Sequence, residues 1–227
     1  AAAAAGAAAP APSTPAPAPA PEGEPIRGVA AKIAQNMQAS LEVPTATSFR
    51  EVPARLLEVN RNVINGYLGR TRGGKVSFTH IIGFAIVRAI TDHLPQMNNA
   101  FLEGPDGKPR LLKDRPVNLG LAIDQEKKDG TRSLIVPVIK HADTMDFQTF
   151  VNSYDELVRK ASSNKLAVED FAGATITLTN PGTIGTERSV PRLMPGQGAI
   201  IGVGSLAYPT GFAAADPRTI ADLGISK

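Results

Sequence analysis

Residues 170–204 read DFAGATITLTNPGTIGTERSVPRLMPGQGAIIGVG, and this stretch decides the fold. Its first part, residues 174–179, is a short β-branched and apolar run, the signature of a buried strand. The run ends in a hydroxyl, Thr179, at the entrance of a tight Asn180-Pro181-Gly182 turn. A second apolar run, residues 198–204, is bounded by glycine at both ends and reads as another strand. The glycines at 196, 198, 202 and 204 lack the spacing and the following helix of a dinucleotide fingerprint. They read instead as a strand that other backbone approaches closely. From the strand alone, Thr179 is a β-branched residue with its hydroxyl bonded locally. The alternative is a hydroxyl held in fixed geometry, which is what stabilising a developing oxyanion requires.

The chain upstream divides at about residue 25. Residues 1–25 are mostly alanine and proline, with alternating Pro15, Pro17, Pro19 and Pro21, a composition that opposes helix and favours an extended, flexible interdomain linker. From residue 26 to 227 one domain is expected. Residues 26–41 form a helix with Ile26, Val29, Ile33, Met37 and Leu41 on one stripe. Residues 44–52 alternate as a strand through Thr45, Thr47 and Phe49, and Pro53 suits the first turn of the next helix. That helix, residues 54–68, spaces Leu56, Leu57, Val63, Ile64, Tyr67 and Leu68 helically and ends at Gly69. Ser77 or Thr79 caps a very apolar helix to about Leu94, with burial nearly all round. Residues 117–124 and 132–140 form a hairpin around Asp129-Gly130. Asp143 or Thr144 then caps a helix to about Ser162, with Phe147, Phe150, Val151, Tyr154, Leu157 and Val158 inward. The order is helix, strand, helix, helix, hairpin, helix, strand, strand: one α/β layer structure.

Composition narrows the functions. Of 227 residues, 42% are hydrophobic and 20% charged, enough to bury a core. The net charge of +3 is spread among interspersed acids and bases, so no nucleic-acid surface is indicated. There is no cysteine, which excludes disulfides, thiolate metal sites and a cysteine nucleophile, and no metal site is expected. No apolar run approaches the ~20 residues of a membrane span, and the start has no secretory pattern, so no membrane association and a cytoplasmic setting are expected. Residues 69–75 (GRTRGGK) imitate a phosphate-binding loop, but Val76 stands where Ser or Thr should hold magnesium, and a helix precedes it where a strand should. A basic loop facing an anionic neighbour is the better reading. Of the three histidines, His80 is packed or capping, and His93 lies near the carbonyl end of its helix. His141 sits at an exposed junction with Asp143 as its one plausible orienting acid, and reads as a surface residue.

Several segments, in order, resemble the catalytic domain of the dihydrolipoamide acyltransferases, the E2 components of 2-oxoacid dehydrogenase complexes. Besides residues 170–204 these are IRGVAAKIAQNMQASLEVPTATSFREV, KVSFTHIIGFAIVRAITDHLPQMNNAF and VNLGLAIDQEKKDGTRSLIVPVIKHADTM. NLGLAID, RTRGGK, TLTNPGTIGT and SVPRLMPGQGAIIGVG are most similar to the actinobacterial 2-oxoglutarate dehydrogenases, in which a succinyltransferase domain is fused ahead of a thiamine-dependent E1 part. The resemblance implies a chloramphenicol-acetyltransferase-like two-layer sandwich that forms trimers, with active sites between subunits. The implied reaction, within the tricarboxylic acid cycle, moves succinyl from dihydrolipoamide to coenzyme A, the oxyanion being held by a hydroxyl that falls on Thr179. Asn180 and Gly182 carry over as the turn that positions it. The family's general-base histidine belongs to a His-x-x-x-Asp-Gly motif that does not occur in these 227 residues, so this piece alone is expected to be inactive. The lipoyl group is expected from another protein, with lipoyl-bearing E2 and E3 as partners. Thiamine diphosphate and magnesium would serve the E1 part. An assembly module that keeps the fold for trimerisation is the alternative.

Overall fold

Along the chain run α1 (Gly28–Ser40), α2 (Arg55–Arg70), α3 (Phe78–Asp92), β1 (Ala100–Glu103), β2 (Pro109–Leu112) and β3 (Leu119–Glu126). There follow β4 (Arg132–Ile135), β5 (Val138–Ile139), α4 (Phe147–Ser162), β6 (Ile176–Thr179), β7 (Ala199–Gly202) and α5 (Pro217–Asp222). This computed structural model describes residues 23–71, 73–126, 130 and 132–227. Most of the expected linker, residues 1–22, lies outside them, as do 127–129 and 131 of the central hairpin and Arg72 of the basic loop.

The main sheet runs β4-β3-β6-β7, with β5 also pairing β3, and β1-β2 form a separate hairpin. β3 and β4 are antiparallel, placing Ile123 opposite Ile135, so the expected hairpin is present. β6 lies parallel to both neighbours: Ile176 is level with Leu119 and Ala199, and Thr179 with Ala122 and Gly202. Because side chains alternate along a strand, this register sorts the sheet into two faces. Leu119, Leu121, Ile176, Leu178 and Ala199 join Val87 and Ile90 of α3 and Phe150 and Leu157 of α4 in the buried core. Phe150, level with no solvent at all, fills the space against Gly83 and Leu178 where any side chain at Gly83 would press. The opposite face carries Gly120, Ala122, Thr175, Thr177, Thr179 and Gly202.

Several expectations need correction. Residues 44–52 form no strand; they are exposed and irregular, because alternation gives a strand only where a ladder partner lies alongside. α2 begins after the N-cap Ala54, leaving Pro53 outside, and runs through Gly69 to Arg70. The glycine is tolerated there at a propensity cost of about 1 kcal/mol. The cap of α4 is Asp146, whose carboxylate accepts from Thr149 N at 2.7 Å; Asp143 instead accepts from Val117 N at 3.0 Å. The β1-β2 hairpin was not foreseen. α1 leaves Ile33 and Met37 exposed, and Leu41 just beyond its end is exposed too. α2 turns Leu57, Ile64 and Leu68 inward while Leu56 (70% exposed), Val59, Val63 (66%) and Tyr67 form an outward apolar row. Among the described residues no helix is long and apolar enough to cross a membrane, and no group of three or more His, Cys, Asp or Glu side chains could hold a metal ion.

Candidate active site

Thr179 ends β6 on the face away from the helices, between Ala122 and Gly202 in register. Three threonines share this face, and they differ in what their hydroxyls do. Thr175 Oγ1 accepts from Asn118 N at 3.0 Å, and Thr177 Oγ1 donates to Gln197 Oε1 at 2.8 Å. The Thr179 hydroxyl has no hydrogen-bond partner among the described residues, and the residue is half-buried. A hydroxyl held on a paired strand and left free to donate is what an oxyanion needs. The local hydrogen bond expected of a strand threonine is not made to any described residue.

The turn after it is fixed from three directions. Thr179 O accepts from Val203 N at 2.8 Å, and Gly182 N donates to Val203 O at 3.0 Å. Asn180, on the helix side of the strand, donates from Nδ2 to Thr79 Oγ1 of α3 at 2.9 Å. A Cβ at Gly182 would collide with the Gly204 carbonyl and stand 2.6 Å from Ser205 N. One at Gly204 would collide with Glu187 O, and one at Gly198 with Met97 O. Close backbone approach, expected for glycines 196, 198, 202 and 204, explains Gly198 and Gly204 and extends to the turn, whereas Gly196 serves a positive φ of 81° and Gly202 meets only side chains.

The histidines separate clearly. His80 is buried, and its Nδ1 accepts from Ser77 N at 2.9 Å, completing a reciprocal cap with Ser77 Oγ at the start of α3. That places the ring proton on Nε2, which stands 3.1 Å from Asp155 Oδ1, though outside good hydrogen-bonding alignment. Tyr154 packs edge-on at 4.1 Å between ring centroids. Burial lowers the His80 pKa below 6.5 and Asp155 only partly offsets this, so the ring is neutral near pH 7. Burial also raises the Tyr154 phenol, an effect the neighbouring Thr79 hydroxyl opposes. His141 sits beside Asn118, whose Oδ1 accepts its backbone N–H at 2.8 Å. Asn118 O in turn accepts from Thr175 N, so His141 marks the opposite end of β6 from Thr179. Four residues of strand put roughly 13 Å between those ends. Its carbonyl-side neighbour Asp143 is engaged with Val117 and does not orient its ring. His93 closes α3 as its C-cap. The loop before α3 does follow a helix, as read, and Gly69 and Arg70 belong to that helix.

What sequence reasoning missed is the polar cluster of Thr79, His80, Tyr154 and Asp155 beneath the turn. The spacing Ser77-x-x-His80 was its one local signal.

The chain belongs to the 2-oxoacid dehydrogenase acyltransferase (catalytic domain) family, whose pattern matches residues 18–219. It is 58% identical over 206 residues to the multifunctional 2-oxoglutarate metabolism enzyme of Mycobacterium sp. (strain JLS), covering 91% of this chain and 16% of that protein. It is 52% identical over 203 residues to the 2-oxoglutarate dehydrogenase E1/E2 component of Corynebacterium glutamicum, covering 89% and 16%. The chain thus spans about a sixth of the length of these relatives. Among solved structures, a probable dihydrolipoamide acetyltransferase from Listeria monocytogenes superposes with a TM-score of 0.71 at 28% identity, covering 83% of this chain and 76% of that one. An Azotobacter vinelandii dihydrolipoamide acetyltransferase, studied for the roles of a serine, a histidine and an asparagine in its mechanism, gives 0.69 at 28%, covering 83% and 74%. The cubic core of a pyruvate dehydrogenase multienzyme complex also gives 0.69 at 28%, with the same coverage. The α/β fold of E2 catalytic cores, expected from the sequence, is the fold found.

Proposed function

We propose that this chain is the acyl-transfer domain of a 2-oxoglutarate dehydrogenase-type enzyme, spanning residues 26–227 behind a linker, and that it moves succinyl from S-succinyldihydrolipoamide to coenzyme A. The coenzyme A thiol gives its proton to a general base, and the thiolate attacks the thioester carbonyl. A new C–S bond forms, and the carbonyl electrons move onto oxygen. Collapse of the intermediate breaks the C–S bond to dihydrolipoamide, whose sulfur takes the proton back. The oxyanion is met by the hydroxyl of Thr179, held by the Asn180–Gly182 turn. One donor of this kind is worth about 10²–10³ in rate. The observation that carries the reading is that Thr179, alone of the three threonines on its face, keeps its hydroxyl unengaged among the described residues.

The His-x-x-x-Asp-Gly motif that would supply a general-base histidine does not occur in these 227 residues, and neither His80 nor His141 takes its place. His80 has both nitrogens directed at protein groups, and His141 lies at the wrong end of the strand. The Azotobacter enzyme, studied for a serine and a histidine together, supports a hydroxyl working with a base. Coenzyme A and a lipoyl group on another protein are the substrates, and thiamine diphosphate with magnesium belongs to an E1 part. The cubic core among the structural relatives supports assembly, and the exposed rows of α1 and α2 supply apolar surface for a trimer.

The test is Thr179→Val in the full-length polypeptide. The fold should persist, while turnover falls about a hundredfold or more and the KM for coenzyme A is little changed. Unchanged turnover would remove Thr179 from the site, and is also what a purely structural assembly module would give. His141→Ala should leave turnover within a small factor.

A further inference from the structure

We propose that Thr79 is a positioning residue for the Thr179 hydroxyl, acting through Asn180 from the opposite face of the sheet, on a helix turn closed by the Ser77–His80 cap. The inference rests on the acyl-transfer reading of Thr179. Thr179 faces away from the helices by the register of β6, whereas the side chain of Asn180 reaches toward them. Asn180 is on the helix side and spans 101 positions of sequence to reach Thr79 Oγ1 at 2.9 Å. Its backbone, at φ −124° and ψ 73°, fits neither strand nor helix, so it needs an external hold where β6 passes into the turn. That hold is the Thr79 hydroxyl.

Thr79 is itself immobilised. It is the second residue of α3, within the turn closed by the Ser77–His80 reciprocal cap. The His80 ring packs edge-on against Tyr154 of α4 at 4.1 Å, with Asp155 Oδ1 near its Nε2, so the two helices meet at this level. The Tyr154 phenol also neighbours the Thr79 hydroxyl. The path therefore runs from the α3–α4 contact through Thr79 and Asn180 to the end of β6. A shift of the turn by about 1 Å would misplace the Thr179 donor, and displacements of that size cost up to about a hundredfold in rate.

The experiment compares Thr79→Val, Thr79→Ser and Thr179→Val in the full-length polypeptide, measuring coenzyme A-dependent acyl transfer. Thr79→Val keeps shape and removes the acceptor; turnover should drop about tenfold or more with the KM for coenzyme A unchanged. Thr79→Ser restores the hydroxyl and should recover most of the rate. In the Thr179→Val background, adding Thr79→Val should cost nothing further, since its effect travels through that hydroxyl. If Thr79→Val does not fold, Asn180→Ala removes the other half of the bond and takes its place. Turnover within twofold of wild type in Thr79→Val, while Thr179→Val is impaired, overturns the positioning role and spares the site. Equal losses from Thr79→Val in both backgrounds also overturn it. An unimpaired Thr179→Val overturns the site reading itself.

Discussion

Replacing Gly182 by alanine tests whether backbone contact holds the Thr179 turn. A methyl there would stand 2.6 Å from Ser205 N and closer still to the Gly204 carbonyl. An ordinary contact needs about 3.5 Å, so the turn and the segment after β7 must part by about 1 Å. Both sides are main chain, so no side-chain rotation relieves the clash. Parting them also stretches the Gly182 N to Val203 O bond, now 3.0 Å. Overpacking of this kind costs about 1–3 kcal/mol, and the weakened bond adds about 1 kcal/mol. The same displacement acts on Thr179, three residues upstream, so turnover should fall by up to about a hundredfold. The control is Gly185→Ala: Gly185 has φ 87° but open space, so it suffers backbone strain of about 1–2 kcal/mol without moving the neighbouring chain. Urea denaturation of the chain and acyl transfer by the full-length polypeptide are the two assays. A Gly182→Ala protein as stable as Gly185→Ala and fully active would refute the close-approach reasoning.

Three further predictions concern stability and assembly. Because His80 has a folded pKa below 6.5, the unfolded ring takes up its proton first as pH falls. Stability is therefore full above about pH 6.5 and declines below it, and His80→Gln should flatten the fall of the urea midpoint just below pH 6.5; an unaltered slope would show that other groups dominate. Ser77→Ala removes the acceptor for His80 N and should cost about 1 kcal/mol in the same assay, a loss under a few tenths being contrary to the cap. Leu56→Asp with Val63→Asp charges the outward row of α2 and should reduce the size measured by light scattering while leaving unfolding of the subunit nearly unchanged; an assembly of unaltered size would mean that this row faces solvent in the assembled protein too.

Local chemistry in the chain was enough to define much of this protein. Helical spacing of apolar residues located α1 to α4, since burying one stripe is a property of a short window. The central hairpin and the two strands around the Asn180-Pro181-Gly182 turn were legible for the same reason. Residues 44–52 show the limit: alternation states which face a strand would bury, but a ladder needs a second chain segment, and none pairs there. The candidate site divides in the same way. Thr179 was marked by its place at the end of a strand and by family resemblance. That its hydroxyl has no partner among the described residues, while those of Thr175 and Thr177 are engaged, depends on Asn118 and Gln197. Gly182 and Gly204 were visible as turn and strand glycines, yet the chain that forbids a Cβ at Gly204 lies at Glu187. Thr79 and Asn180 are 101 positions apart, and no periodicity connects them. Hydrogen bonds and steric exclusion between distant segments exist only once the sheet has set its register, and that is why tertiary structure alone decided which of these hydroxyls are bound.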